Sequence, residues 1–191
     1  MRITGGEWRS RRLRGPGRSA AVRPTPDAMR ERAFAVLGGR VVGTRFLDLF
    51  AGTGAVGLEA LSRGAASVVF VERHAATAKV LRGNCESFEL DATRASIFVR
   101  TAIDAVADLA RRKQRFDLAW ADPPFESWQE GLEAVVAAFA SNLLAPDGLA
   151  CLECPEKATV EAALPDILEV VRDLEGGASR VVMIQRSPLA S

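Results

Sequence analysis

A glycine-rich loop constrains the fold of this chain more than any other sequence feature. Residues 52–57 form a GxGxxG pattern between an apolar strand and an apolar helical segment, and Glu72 follows Gly52 by twenty residues. Glycines at these positions allow a tight turn, close approach of the backbone to a ligand, and close packing of the helix on the strand. The loop therefore predicts a nucleotide-binding β-α-β unit. A glycine turn that serves packing alone is the alternative.

Strand-like and helix-like segments alternate along the chain. This alternation predicts an α/β fold with an open, mostly parallel sheet and helices on both faces. The predicted strands are 45–50, 67–71, 97–99, 116–121, 149–153, 167–172 and 180–185, of which the last two flank a Gly-Gly pair and could pair antiparallel. Helices are predicted after Gly57, over about 75–86, around Val106, over about 128–140 and near 159–163.

The N-terminal region is predicted to be a basic extension, residues 1–40, in front of a domain formed by residues 41–191. Residues 2–14 have the pattern of a hairpin that turns at Gly5-Gly6, and a helix with Thr25 as its N-cap follows. The first 45 residues hold eleven arginines against three acids, a charge of +8, which leaves −7 for the rest of a chain of net charge +1. A basic arm on an acidic body predicts a polyanionic partner. The candidate phosphate contacts are Arg9, Arg11, Arg12, Arg14 and Arg23.

Asp48 indicates which nucleotide cofactor the glycine loop would hold. It lies at the end of the first predicted strand, beside the loop. A carboxylate there would repel a pyrophosphate in a partly desolvated site, but it would attract an α-amino group. S-adenosylmethionine has an adenosine, a cationic sulfonium and an amino-acid end, and it has no phosphate. The sequence therefore favours S-adenosylmethionine over NAD.

Two further acids are predicted to contact the adenosine part of such a cofactor. Glu72, at the end of the second strand, can accept both ribose hydroxyls. Asp104 follows the third strand at the same edge of the sheet and can accept the adenine amino group. Asp104 could also, or instead, cap the helix that follows it.

The segment Asp122-Pro123-Pro124-Phe125 follows the apolar strand 116–121. Two prolines fix φ and supply no N–H, so the turn is rigid. The Asp122 side chain and the Pro123 carbonyl can both accept hydrogen bonds, and Phe125 offers a flat apolar face. This combination suits the exocyclic amine of a nucleobase, whereas a plain strand-ending turn is the alternative.

Other functional classes are disfavoured by the sequence. It has no apolar run long enough to span a bilayer and no signal-peptide pattern, so we expect a cytoplasmic protein without membrane contact. Cys151 and Cys154 form a CxxC without a second pair, and strand spacing would direct their sulfurs to opposite faces. With Cys85 they are predicted to be buried free thiols, and no metal site is expected.

The chain resembles the bacterial small-subunit (16S) rRNA (guanine-N2)-methyltransferases over nearly its full length. The resemblance lies in residues 48–65, 70–72 and 122–125 and in the N-terminal stretches 2–9 and 23–31. The glycine loop and the DPPF segment are shared widely among amino-methyltransferases, so the N-terminal stretches indicate the substrate. The resemblance implies a Rossmann-like class I methyltransferase with a seven-stranded sheet, its last strand antiparallel, and an N-terminal extension that grips rRNA.

The resemblance also implies a role for individual residues. Asp48, Gly52 and Gly54 would hold the methionine part of S-adenosylmethionine, Glu72 the ribose and Asp104 the adenine, and Phe50 would also contact the cofactor. Thr25 could approach the methionine carboxylate, or serve only as an N-cap. Asp122, Pro123 and Phe125 would be catalytic. The implied partner is small-subunit rRNA within the assembling or assembled 30S particle, and we expect a monomer.

Three other functions remain open from the residues alone. The DPPF segment does not separate guanine from adenine, so an adenine-N6 methyltransferase acting on DNA or rRNA is the nearest alternative. An NAD-dependent oxidoreductase would explain the glycine loop but would leave the DPPF segment and the basic arm without a function. A non-catalytic RNA-binding domain would leave the predicted cofactor-binding acids, Asp48, Glu72 and Asp104, without a function.

Overall fold

The computed structural model describes residues 1–15 and 27–188 of the chain. The predictions made for Arg23 and Thr25 lie outside these residues. The helices are α1 (Asp27–Leu37), α2 (Ala55–Ser62), α3 (Ala75–Ser87), α4 (Ala102–Arg111), α5 (Trp128–Ala140) and α6 (Val160–Ala163). The strands are β1 (Arg45–Asp48), β2 (Ser67–Val71), β3 (Ala95–Phe98), β4 (Phe116–Ala121), β5 (Leu144–Pro155), β6 (Leu168–Glu175) and β7 (Ser179–Arg186).

All seven strands form one sheet in the order β3-β2-β1-β4-β5-β7-β6. The neighbouring strands β3 and β2, β2 and β1, β1 and β4, and β4 and β5 are parallel pairs. Strand β7 runs antiparallel to both of its neighbours, β5 and β6. A mostly parallel α/β sheet with an antiparallel last strand is therefore confirmed. The parallel strands present their carboxyl ends at a common edge, which is where ligands bind in open α/β sheets.

Strand β5 begins earlier than predicted. The sequence places its start at Leu149 because Pro146, Asp147 and Gly148 have the pattern of a turn. In the structure β5 starts at Leu144, and the register with β4 shifts in this stretch. An irregularity of this kind allows a strand to pass through residues that otherwise end it.

Two apolar cores cover the two faces of the sheet. On one face Phe46, Phe70, Trp120 and Cys151 pack beneath residues of α1, α2 and α3. The other face packs beneath α4 and α5, and Cys154 belongs to it. Cys85, Cys151 and Cys154 are free and buried, and the predicted opposite orientation of Cys151 and Cys154 is confirmed.

The N-terminal hairpin forms, but its turn is wider than predicted. Arg2 pairs with Arg12, and Ile3 exchanges backbone hydrogen bonds with Arg11 and Ser10 at 3.0 and 2.9 Å. The chain turns over residues 5–10 rather than closing at Gly5-Gly6. Trp8 inserts into the core of the first face, so the hairpin is packed onto the sheet domain.

A single buried carboxylate, that of Glu59 on α2, joins the hairpin to two helices. It accepts hydrogen bonds from the Thr4 amide at 2.7 Å, the Thr4 hydroxyl at 2.8 Å and the Gly5 amide at 2.8 Å. It also pairs with Arg30 of α1 at 3.4 Å and with Arg63 at 2.8 Å. Glu59 and Arg30 are both fully buried. This cluster positions the hairpin and α1 on the end of α2.

We expect Glu59→Ala to lower the free energy of unfolding by roughly 3–5 kcal/mol, because it removes a buried carboxylate that faces a buried guanidinium. Urea unfolding would measure the loss. Glu86→Ala, an exposed change on α3, is the matched control. A loss for Glu59→Ala within about 1 kcal/mol of the control would contradict the role given to this cluster.

Candidate active site

The register of the parallel strands brings three acids to one edge of the sheet. Asp48 of β1 is level with Phe70 of β2 and with Trp120 of β4. Glu72 and Asp122 each follow directly after the last residue of their strands, two positions beyond Phe70 and Trp120. Because side chains alternate between the faces, both acids lie on the same face as Asp48. This is the face covered by α1, α2 and α3.

The three glycines of the loop have three different structural roles. Gly52 and Gly54 have φ values of +54° and +92°, which favour glycine. A Cβ at Gly54 would overlap Leu81, and one at Gly57 would overlap the Phe70 ring. A Cβ at Gly52 would meet no atom within 4 Å, so its backbone borders open space. This agrees with a tight turn that leaves room for a ligand and with close packing of α2 on β2.

Asp48 is buried beneath the glycine loop, with 1% of its surface exposed. Its Oδ2 accepts a hydrogen bond from the Gly57 amide at 3.0 Å. Burial is the main cause that raises the pKa of the Asp48 carboxyl to about 7. The hydrogen bond from the Gly57 amide lowers this pKa, and the negative charge of Glu72 raises it further. A hydrogen bond from the Phe50 backbone also lowers it. This acid therefore titrates close to neutral pH.

Glu72 connects the glycine loop to the start of α3. One of its carboxylate oxygens accepts a hydrogen bond from the Gly52 amide at 3.0 Å, and the other accepts one from the His74 amide at 2.7 Å. Its side chain is mostly buried. These two bonds hold the carboxylate beside the open space at Gly52, where a ribose would need an acceptor.

Asp104 lies in the first turn of α4 and is exposed. The N-cap of α4 is Thr101, whose hydroxyl donates to Asp104 Oδ2 at 2.6 Å and accepts from the Asp104 amide at 3.3 Å. The alternative prediction that Asp104 caps this helix is therefore wrong. The Thr-x-x-Asp spacing that places Thr101 as the cap is readable in the sequence, and the prediction missed it.

The DPPF segment ends β4, as both of its predicted readings require. Pro123 is buried, whereas Asp122 and Phe125 are half-buried. A Cβ at Gly131 of α5 would come within 2.7 Å of Pro123 Cγ, so this glycine lets the helix pack on the proline. The amide of Ser127 donates to the Pro124 carbonyl at 2.9 Å and closes the following turn. The segment is thus rigid and anchored to α5, and Gly131 is a positioning residue that the sequence reasoning did not identify.

Two of the predicted RNA-contacting arginines, Arg9 and Arg12, are exposed on the hairpin. Arg11 is exposed but also bound to the protein, because its guanidinium donates to the Ser87 carbonyl at 2.5 Å and lies 3.9 Å from the centre of the Phe88 ring. The guanidiniums of Arg9 and Arg12 are therefore better suited to an external partner than that of Arg11.

Arg14 is also exposed and is attached to α3 through its backbone. Its amide donates to Asn84 Oδ1 at 2.9 Å, and its carbonyl accepts from Asn84 Nδ2 at 3.1 Å. These bonds hold the hairpin against α3, and they leave the guanidinium at the surface.

Residues 1–15 and 27–188 offer neither a metal site nor a membrane-spanning helix. These residues hold no group of three or more His, Cys, Asp or Glu side chains arranged to bind a metal ion. None of the helices among them is both long and apolar enough to cross a membrane.

We expect the pKa of Asp48 to make stability depend on pH. As pH rises from about 4 to 7, the unfolded chain loses the Asp48 proton while the folded protein keeps it, so the free energy of unfolding falls. Between pH 4.5 and 7.5 the loss should be on the order of 3 kcal/mol relative to Asp48→Asn, which cannot titrate but can still accept from Gly57. Urea unfolding of both proteins between pH 4.5 and 7.5 measures it, and parallel pH profiles would contradict the raised pKa.

Known proteins resemble this chain in sequence and in fold. A family model described as conserved hypothetical protein 95 matches residues 1–185. Ribosomal RNA small subunit methyltransferase D of Escherichia coli is 38% identical over 125 residues, which are 65% of this chain and 60% of that protein. The chain thus matches about 60% of the length of this relative.

Two further similarities cover nearly the whole chain. A putative rRNA methyltransferase of Bacillus subtilis, YlbH, is 29% identical over 177 residues, which are 92% of this chain and 94% of that protein. A solved structure of a putative methyltransferase from Escherichia coli has 31% identity and a TM-score of 0.79, and the match covers 98% of each chain. This chain therefore belongs to the family described as conserved hypothetical protein 95, and it shares the fold of a methyltransferase relative.

Proposed function

We propose that this protein transfers a methyl group from S-adenosylmethionine to the exocyclic N2 amine of a guanine in small-subunit (16S) ribosomal RNA. The observation that carries the proposal is the placement of Asp48, Glu72 and Asp122 on one face at one edge of the sheet. This placement makes a cofactor site and an amine site direct neighbours. The relatives named ribosomal RNA small subunit methyltransferase D and putative rRNA methyltransferase support the coarser part of the proposal, methyl transfer to rRNA.

The residues around the glycine loop fit S-adenosylmethionine. The open space at Gly52 borders the carboxylate of Glu72, which would accept the ribose hydroxyls. Asp48 already accepts from Gly57, and a carboxylate has capacity for further donors such as an α-ammonium group. Gly54 and Phe50 would complete the methionine site. A pyrophosphate beside Asp48 would instead be repelled, which disfavours NAD.

Asp104 and Thr25 would hold the adenine end and the carboxylate end of the cofactor. Asp104 is exposed at the carboxyl edge, one strand beyond Glu72, where it could accept the adenine amino group. Thr25 lies outside the described residues, so its approach to the methionine carboxylate remains a prediction. When bound, S-adenosylmethionine supplies an electrophilic methyl group whose departure leaves a neutral thioether.

The chain's own residues would act on the target base by positioning it. A guanine extruded from its stack, at a cost of a few kcal/mol, would lie against Phe125. Asp122 and the Pro123 carbonyl would accept hydrogen bonds from N2 and so direct its lone pair toward the cofactor site. The rigid attachment of Pro123 to α5 makes this orientation reproducible, and orientation supplies much of the acceleration in such a transfer. Asp122 is also placed to take up the proton that N2 loses.

The N-terminal extension, residues 1–40, would bind the RNA while residues 41–191 carry the chemistry. Arg9, Arg12 and Arg14 are exposed on a hairpin that Glu59 fixes to α2, the helix that follows the glycine loop. The partner we propose is small-subunit rRNA in the assembling or assembled 30S particle, met by a cytoplasmic monomer. An adenine-N6 methyltransferase remains the alternative outcome, since the DPPF segment accepts either amine.

We expect Asp122→Ala to lower methyl transfer by about 100-fold or more, because the target amine loses its orienting acceptor. Transfer of labelled methyl groups to unmodified small subunits measures this rate. Equilibrium dialysis of the variant should show unchanged affinity for S-adenosylmethionine, because Asp122 lies outside the glycine loop.

The matched control for Asp122→Ala is Glu126→Ala, an exposed change in the turn just after the DPPF segment. It should keep full activity. If Asp122→Ala transferred methyl groups at the rate of the unaltered protein, Asp122 would have no role in holding the target amine. Tighter binding of NAD than of S-adenosylmethionine to the unaltered protein would contradict the cofactor assignment.

We expect the double variant Arg9→Ala, Arg12→Ala to bind 16S rRNA more weakly and with a shallower salt dependence. Each lost phosphate contact should reduce the slope of log K against log salt concentration by about 1. Filter binding over a salt series measures the slope. Arg172→Ala, an exposed change on the edge strand β6, is the control and should leave the slope unaltered. Equal slopes for the double variant and the control would place the RNA elsewhere on the surface.

A further inference from the structure

A second carboxylate lies beside Asp122, on the neighbouring strand. In the β4–β5 register Trp120 is level with Cys151, and Ala121 with Leu152. The residues that follow this last pair are Asp122, directly beyond the end of β4, and Glu153, still within β5. Neighbouring strands lie about 4.8 Å apart, so these two residues are adjacent across the carboxyl edge.

Glu153 and Asp122 also lie on the same face of the sheet. Trp120 and Cys151 belong to one apolar core, and the residues that follow them belong to the opposite one. Alternation returns the next pair to the first face. The partner of Glu153 on β7 is Val181, which packs in that same first core and so supports this orientation.

The two acids differ in depth. Asp122 is half-buried, whereas only 2% of Glu153 is exposed. Along this face the preceding residue of β5 is Cys151, and the neighbouring residues of β7 are Val181 and Met183. A carboxylate in such an apolar row is held by polar interactions rather than by packing.

The Watson–Crick edges of guanine and adenine differ at the atom beside the amine. Guanine has an N1–H donor next to its N2 amine, whereas adenine has an N1 acceptor next to its N6 amine. An ionised carboxylate only accepts hydrogen bonds. Placed beside the amine grip, it would bind the N1–H of guanine and repel the N1 lone pair of adenine. A base that leaves a buried polar group without its hydrogen-bond partner binds much more weakly, so such a group discriminates strongly between two bases.

We propose that Glu153 determines base specificity, because it accepts the N1–H of the target guanine while Asp122 and the Pro123 carbonyl hold its N2 amine. This inference rests on the proposed N2-methylation of guanine and deepens it. The DPPF segment grips an amine, and the adjacent strand supplies the group that identifies the base carrying it.

The test compares guanine with 2-aminopurine, which keeps the N2 amine but has an N1 acceptor in place of N1–H. The guanine that the unaltered protein converts to N2-methylguanosine is identified first, and small subunits are then reconstituted with either base at that position. We expect the unaltered protein to methylate the 2-aminopurine subunits at least about 100-fold more slowly, as kcat/KM. Glu153→Gln can offer its amide N–H to N1, so it should reduce this ratio by about 10-fold or more.

The control is Glu156→Gln, an exposed change just beyond β5, which should keep the ratio of the unaltered protein. A merely structural role for Glu153 would lower kcat/KM for both bases equally and leave the ratio unchanged, which would overturn the inference. Equal rates on the two bases by the unaltered protein would overturn it without any variant. Absence of N2-methylguanosine from the first step would overturn the proposed function and this inference with it.

Discussion

The parallel register of the three central strands is the constraint on which the rest of this site depends. Because Asp48 is level with Phe70 and Trp120, the acids that end β2 and β4 must flank it on the same face. Backbone hydrogen bonds continue this alignment beyond the strands, from Leu49 to the Trp120 carbonyl and from Ala51 to the Val71 carbonyl, each 2.8 Å long. A slip of one residue in either pair would turn an acid to the opposite face, away from the glycine loop. The proposed cofactor site and the proposed amine site are thus two consequences of one alignment.

Helix α2 links that edge to the N-terminal extension. At its start, close packing of Gly57 on Phe70 leaves the Gly57 amide to bind Asp48. Two residues later, Glu59 holds Thr4 and Gly5 of the hairpin. The same short helix therefore positions the proposed cofactor site and the proposed RNA-binding arm. This arrangement explains how a basic extension with few residues can hold a fixed orientation relative to the DPPF segment.

Much of this architecture could be predicted from the sequence, for identifiable reasons. Strands β2 and β4 begin and end where predicted, because each is an apolar run bounded by polar or turn-forming residues. Strand β5 was predicted too short, because a Pro-Asp-Gly pattern hides the irregularity that accommodates it. Glu59 and Glu153 were missed, since both are charged residues whose importance comes from burial and from neighbours distant in sequence. A linear pattern specifies which residues end a strand, but the register that aligns Ala121 with Leu152, and so brings the ends of β4 and β5 together, exists only in the folded sheet.

The central claim is that the edge formed by Asp48, Glu72 and Asp122 methylates a guanine amine of ribosomal RNA. The most direct test incubates the protein with labelled S-adenosylmethionine and unmodified small subunits, digests the RNA to nucleosides and separates them. We predict that the label appears in N2-methylguanosine. Label in N6-methyladenosine, or no label in the RNA under conditions where the protein binds S-adenosylmethionine, would contradict the account.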